Sequence, residues 1–339
     1  YPECGWEGAA GDRTVVEGKL ARRGSLMLWK RKTAAAGISL AVVLCLGSCS
    51  LQKVAMNKVA GMLSGSSSAD VFSTDNDPEL VGDALPFAIK LYESLLASMP
   101  GHQGLRLRTG SLYIMYANAF VQTPADMTPR RELETKEYLL ARAKNLYLRG
   151  RDILFVGLEK RNPLIRKQLK ERKYTEAMAP FRKEDVSLLY WTAVGWVAAF
   201  GVDPFDMELG QTLPQTAAMM ERVAELEPGY GHGALDTFYV NYYGSLPEYL
   251  GGDAAKARAY FEKAQAIAGA SDTSALMALA TTVCVNEQNA AEFKNLLGQV
   301  IAFDPDKSPE NRLVNILNQR KARWLLAHID DFFIELERP

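Results

Sequence analysis

The chain has 339 residues, with 39 basic and 40 acidic side chains and a formal net charge of −1. That balance excludes a nucleic-acid surface built on excess positive charge. Three scattered histidines, His102, His232 and His328, and four cysteines leave no pair at metal-ligand spacing, so neither a metal nor a cofactor is expected. Nothing before Lys19 has helical or strand periodicity and Met27 makes a normal start, so residues 1–26 read as an upstream extension foreign to the fold. Residues 27–48 have the order of a secretory leader: Lys30-Arg31-Lys32, an apolar run from Thr33 to Cys45, then Leu46-Gly47-Ser48 before Cys49. This order predicts a lipoprotein signal peptide with Cys49 as the acylated mature N-terminus. The thiol accepts the acyl group, the small residues admit the peptidase, and Leu46 fills an apolar pocket. A short transmembrane anchor is the alternative reading, although the run falls short of the roughly 20 residues that a span needs. Ser48 stands where Gly or Ala is commoner.

The leader predicts a periplasmic protein held by its acyl chains to the inner or the outer membrane. Beyond Cys49, only Cys284 remains, so no internal disulfide is expected. Its setting, Ala-Leu-Ala-Thr-Thr-Val-Cys-Val, reads as a small buried residue. Residues 49–74 read as a lipid-anchored linker, with an amphipathic stretch at 50–63 and a Ser/Gly-rich tether at 64–70. Residues 75–335 then form one domain of nearly continuous helical pattern, with apolar residues three and four apart.

Several helices repeat a signature of small or aromatic residues at that spacing, often followed by proline. It occurs at Ala88-Tyr92-Leu95 before Pro100, Ala143-Tyr147-Gly150, Thr216-Met220-Val223 before Pro228, Ala257-Phe261-Ala264, and Phe293-Leu297-Val300 before Pro305. Trp191, Val194, Gly195 and Ala198 offer the first-helix half. Small residues let paired helices approach, aromatics fill the gap to the next pair, and proline ends the second helix. The leading positions fall 55, 73, 41 and 36 residues apart, against about 34 in a regular tetratricopeptide array. The expected fold is therefore all-α, a degenerate tetratricopeptide-like repeat of helical hairpins; an ordinary helical bundle with coincidental spacing is the alternative.

Candidate sites are few. Asp75, Asp77 and Glu79 lack the glycine and distal glutamate of a calcium loop, and Asp77-Pro78-Glu79 instead suits a helix start. Gly229–Gly233 follows a helix and Pro228 and reads as a connecting turn. The basic stretch from Arg161 to Arg172 reads as a solvated helix face. His102, and Glu248 beside Tyr249, have no partner at catalytic spacing, so no catalytic residue is assigned and the chain is not expected to be an enzyme. Tyr190, Trp191, Tyr239, Tyr242 and Tyr243 serve packing on the ordinary reading. Three tyrosines on one turn beside Asn241 exceed that need, and would line an apolar groove with hydroxyls at its rim, a ligand- or partner-binding surface. A kink is expected at Gly244.

The stretch from residue 72 to 126 carries a more specific pattern. It contains Asp75-Asn76-Asp77-Pro78-Glu79, Asp83-Ala84-Leu85-Pro86-Phe87-Ala88-Ile89-Lys90-Leu91-Tyr92, Pro100-Gly101-His102, Tyr116-Ala117-Asn118-Ala119-Phe120-Val121 and Ala125-Asp126. This resembles the T component associated with TRAP transporters, the TatT family of bacterial lipoproteins, over roughly residues 49 to 330. The resemblance implies a periplasmic lipoprotein of tetratricopeptide-like hairpins that partners a TRAP solute-binding protein of the TatP kind. It also implies a homotrimer, a pore through each protomer, and a hydrophobic small molecule as ligand. A repeat scaffold in envelope assembly, holding assembly factors or cell-wall enzymes, is the competing function.

Overall fold

Asp77 opens the first complete helix. Its carboxylate accepts the Leu80 N–H at 3.0 Å, Pro78 occupies the first helical position, and Glu79 follows in the first turn, where the positive end of the helix dipole favours it. The computed structural model describes residues 71–334. The leader, Cys49 and the 64–70 tether lie outside those residues. Thirteen α-helices follow in chain order: α1 (Pro78–Ser98), α2 (Gln103–Ala117), α3 (Thr123–Asp126), α4 (Leu133–Arg161), α5 (Ile165–Lys170), α6 (Tyr174–Met178), α7 (Val186–Gly201), α8 (Met207–Leu226), α9 (Ala234–Ser245), α10 (Ala254–Ala268), α11 (Ser274–Leu279), α12 (Ala290–Ala302) and α13 (Arg312–Ala327). No strand occurs among the described residues, and none of their helices is long and apolar enough to cross a membrane.

The same capping chemistry sets later starts. Asp206 accepts from Leu209 N–H, Asp253 from Lys256 N–H and Asn289 from Glu292 N–H. His102 caps α2, its Nδ1 accepting the Leu105 N–H at 3.1 Å. Pro100, Pro228 and Pro305 stand just beyond helix ends, as expected, but Pro86 and Pro214 lie inside α1 and α8. Both rings are exposed, and each removes the N–H that would bond the carbonyl four residues earlier, that of Gly82 and of Gly210. The 229–233 segment is a turn, with Gly231, His232 and Gly233 all at positive φ.

Neighbouring helices pack in order: α1 on α2, α2 on α4, α4 on α7, α7 on α8, then α9 on α10 and α11, and α12 on α13. Where short connections join packed neighbours, as at residues 99–102, the pair is an antiparallel hairpin. The result is an all-α bundle of repeated helical hairpins. At the crossing of α2 and α4 the backbones nearly touch: a Cβ on Gly150 would lie 2.8 Å from the Gly110 carbonyl oxygen. The Ala143-Tyr147-Gly150 face meets this crossing and is fully buried, as are Thr216, Met220, Val223, Phe293, Leu297 and Val300. The α1 and α7 faces are offset from expectation. The buried stripe of α1 is Val81, Leu85, Ile89, Tyr92 and Leu96, leaving Ala88 and Leu95 half-buried. In α7 the stripe is Leu189, Thr192, Ala193, Trp196 and Ala199, with Trp191, Val194 and Ala198 half-exposed.

The last helix returns to the first. Leu313 packs with the α1–α2 core, and Arg312 Nη1 donates to the Thr74 carbonyl at 3.0 Å. Arg320 pairs with Glu79, and Lys321 Nζ lies 2.6 Å from Asp126 Oδ2. A buried polar clamp fixes α13 from its other side. Asn315 Oδ1 accepts from Thr273 N–H and Oγ1–H, and its Nδ2 donates to the Ser271 carbonyl. Buried amides survive in a core only when so satisfied.

Candidate functional site

The return of α13 creates a cleft. It has a volume of about 380 Å³ and lies between α1, α3, α13 and a π-helical turn at Asn118–Gln122. That turn inserts one residue into an otherwise continuous helix and swings Ala119 and Phe120 toward α1, a device common at binding sites. Phe120 stacks with Tyr116, ring centroids 5.8 Å apart. Gly82 makes room for it, since a Cβ there would stand 2.9 Å from the Phe120 ring. Beneath, the Tyr147 hydroxyl donates to Gln122 Oε1 at 2.5 Å, holding the π-turn on α4.

The walls are apolar, from Pro78, Tyr116, Phe120, Met127 and Leu317, while the exposed Glu79, Asp83 and Arg320 charge the edge. The Arg320 guanidinium holds Glu79 below the usual carboxylate range. A greasy slot with a charged edge accepts an amphipathic molecule or a partner's apolar side chain. Most of its residues lie in the 72–126 stretch that carried the family pattern. No feature of the sequence marked Leu317 or Arg320.

The tyrosines form a second place. Tyr239, Tyr242 and Tyr243 lie on α9, joined by Phe238 and by Tyr260 from α10. Tyr239 stacks on Tyr260 at 4.5 Å, Tyr243 lies almost parallel to Tyr260 at 5.8 Å, and Tyr242 meets Tyr243 edge-on at 5.4 Å. Lys256 and Lys263 cover the faces of Tyr243 and Tyr260. The rings of Tyr239 and Tyr242 are therefore packed, each 7% exposed. Their hydroxyls, with that of Tyr243, make no hydrogen bond to a described residue, and none is sealed from solvent. Burial first, then neighbouring hydroxyls and the Glu221 carboxylate of α8, push all three phenol pKa values up. The arrangement is an aromatic wall with a row of open hydroxyls near one acid. Gly244 is not a kink: α9 runs on to Ser245, and Gly244 permits close approach to Thr282.

Tyr190 and Trp191 stand apart from that wall. Tyr190 packs on Trp191 at 5.6 Å and on Tyr230 at 4.8 Å, and its hydroxyl donates to the Ala234 carbonyl at 3.4 Å. Tyr230 in turn bonds Ser187, so this group pins the 229–233 turn to α7. No ring contact links it to the Tyr239 group. Sequence reasoning missed Tyr260 and Tyr230, whose only signal was an aromatic beside a recognised motif. His102 is spent as a helix cap.

Comparison with known proteins places this geometry. The family described as TRAP transporter T-component matches residues 74–333, which is the described fold almost end to end. An uncharacterized protein of Treponema pallidum (strain Nichols) is 36% identical over 308 residues, covering 86% of this chain and 95% of that protein.

Proposed function

Because the chain belongs to the TRAP transporter T-component family, we propose that it is a periplasmic lipoprotein, anchored through Cys49, that docks a TRAP solute-binding protein and holds an apolar or amphipathic solute. The observation that carries this reading is the cleft between α1, α3 and α13. It is apolar inside, charged at its edge, and within the size range of small-molecule sites. The role is one of binding, not catalysis. Tetratricopeptide-like hairpins suit it, since stacked helix pairs present concave surfaces to partners. The open hydroxyls of Tyr239, Tyr242 and Tyr243 add a second contact surface in the same reading, and a homotrimer would present three copies of each.

The test is purification of the lipidated protein in detergent from its own cells, with co-purifying proteins identified by mass spectrometry. A stoichiometric TRAP solute-binding protein is the expected result. Envelope-assembly or cell-wall proteins in its place would overturn the transport role and favour the scaffold. Cys49→Ala is expected to release the protein from membranes.

A further inference from the structure

A second cleft, of about 390 Å³, opens between the α5–α6 hairpin and α8. It shares no residue with the cleft at α13. Its floor is the edge-to-face pair Phe155 and Trp196, ring centroids 6.0 Å apart. The indole N–H is already spent on Thr212 Oγ1 at 2.8 Å and the Arg151 guanidinium lies 4.9 Å from the ring centroid, so the buried Trp196 offers the cleft only a narrow apolar edge. The half-buried Tyr174 extends that edge, with Leu169 buried beneath it.

Above the floor stand three cations. Arg166 is fixed twice, its guanidinium 4.4 Å over the Phe155 ring and paired with Glu159. Lys170 follows one turn later on the same face of α5, where like charges repel. Arg172 follows with φ at 58°, a left-handed conformation that a non-glycine residue adopts at a cost. Lys170 and Arg172 make no ion pair or side-chain hydrogen bond with any described residue. Lys144, by contrast, sits between Asp203 and Asp206, and Arg258 between Glu287 and Glu292. Here Glu208 is the sole carboxylate in the lining. With Arg166 balanced by Glu159, Lys170 and Arg172 against Glu208 leave one positive charge uncompensated over an apolar floor.

We propose that this cleft binds an amphipathic organic monoanion, a carboxylate carried on an aromatic or branched apolar body. The planar carboxylate suits the donor fork of Arg172 and the ammonium of Lys170. The body lies against the half-buried Tyr174 ring and the narrow exposed edge of Trp196, and the amides of Gln211 and Gln215, one turn apart on α8, close the polar side. The basic run from Arg161 to Arg172 is thus more than a solvated face. The inference is independent of the transport reading, since it uses neither the anchor nor a partner protein.

Isothermal titration calorimetry of the full chain tests it, with 3-phenylpropionate as the probe and 3-phenylpropionamide as its neutral counterpart. Lys170→Gln and Arg172→Asn are the variants; asparagine tolerates the left-handed backbone at that turn, and unfolding midpoints equal to the parent's verify the fold. The expected result is binding of the acid, none of the amide, and weakening of the acid by about tenfold or more in either variant. Equal binding of acid and amide would overturn the proposal. So would no heat from the acid up to about 10 mM, well above a weak millimolar site, or binding unchanged in both variants.

Discussion

Arg320 on the last helix grips Glu79 in the first turn of α1, 241 residues earlier in the chain. Both side chains are largely exposed, so this pair fixes register rather than supplying much stability. Lys321, the next residue, is better sheltered against Asp126, with side-chain exposures of 20% and 27%. Successive residues of α13 thus reach two different elements of the N-terminal region.

Lys321→Ala is therefore expected to cost about 1 kcal/mol, and a double-mutant cycle with Asp126→Ala to return a coupling on the order of 0.5–1 kcal/mol that shrinks in high salt. Urea unfolding supplies the numbers. Additive single losses would show that the two side chains do not interact.

The α2–α4 crossing predicts a larger effect. Alanine at position 150 brings its Cβ against both the Gly110 carbonyl and Ile114. Backbone cannot step aside as a side chain can, so Gly150→Ala is expected to destabilise by about 1–3 kcal/mol or more, despite alanine's better helix propensity. A thermal midpoint at or above that of the parent would refute the close approach.

At the aromatic wall, rings and hydroxyls do separable jobs. Tyr239→Phe and Tyr243→Phe keep the stack and are expected to leave stability within about 0.5 kcal/mol. Tyr239→Ala removes a packed ring and is expected to cost about 3 kcal/mol or more. If the hydroxyls contact the partner or solute, the phenylalanine variants lose retention in a pull-down while their melting curves overlay the parent's.

Acid sensitivity has an identifiable contributor at α12. The Arg258 guanidinium grips Glu292 through two bonds of 2.7 and 2.9 Å and holds its carboxyl below the usual range. A carboxyl depressed in the folded state contributes stability fully above its unfolded value of about 4.3 and loses it as pH falls through the lower folded value. Glu292→Gln is expected to lower stability at pH 7 by on the order of 1 kcal/mol. It should also flatten the acid limb between about pH 5 and pH 2. Urea midpoints over that range check both, and parallel acid limbs for parent and variant would remove Glu292 from the account.

Local chemistry was legible in the sequence. Asp77-Pro78-Glu79 announced its helix because capping needs only the next three residues. Gly229–Gly233 announced its turn, and Ala143-Tyr147-Gly150 announced a tight crossing. The faces of α1 and α7 were misplaced because these helices carry apolar residues on more than one side. Burial there is decided by what packs against each side, not by spacing along one. The π-turn at Asn118–Gln122 was hidden, because an extra residue shifts phase without leaving a motif. Nothing in the sequence singled out Asn315 and Gln319, although their amides satisfy backbone groups inside the fold. Arg320, Lys321 and Leu317 were out of reach, since nothing local says that a helix so late in the chain lies on the earliest one.

The bond from Arg312 to the Thr74 carbonyl has a mechanical corollary. Tension drawn along the polypeptide ahead of Thr74 enters the folded body at the joint between its opening and closing helices, not at an interior crossing such as that of Gly110 and Gly150. The contacts that share that load include the packing of Phe72 on the α1–α2 core, the Arg312 bond and the exposed Glu79–Arg320 pair. Pulling from that end would unfasten the joint before disturbing the hairpins behind it, and would carry away the wall that Leu317 and Arg320 give the apolar cleft.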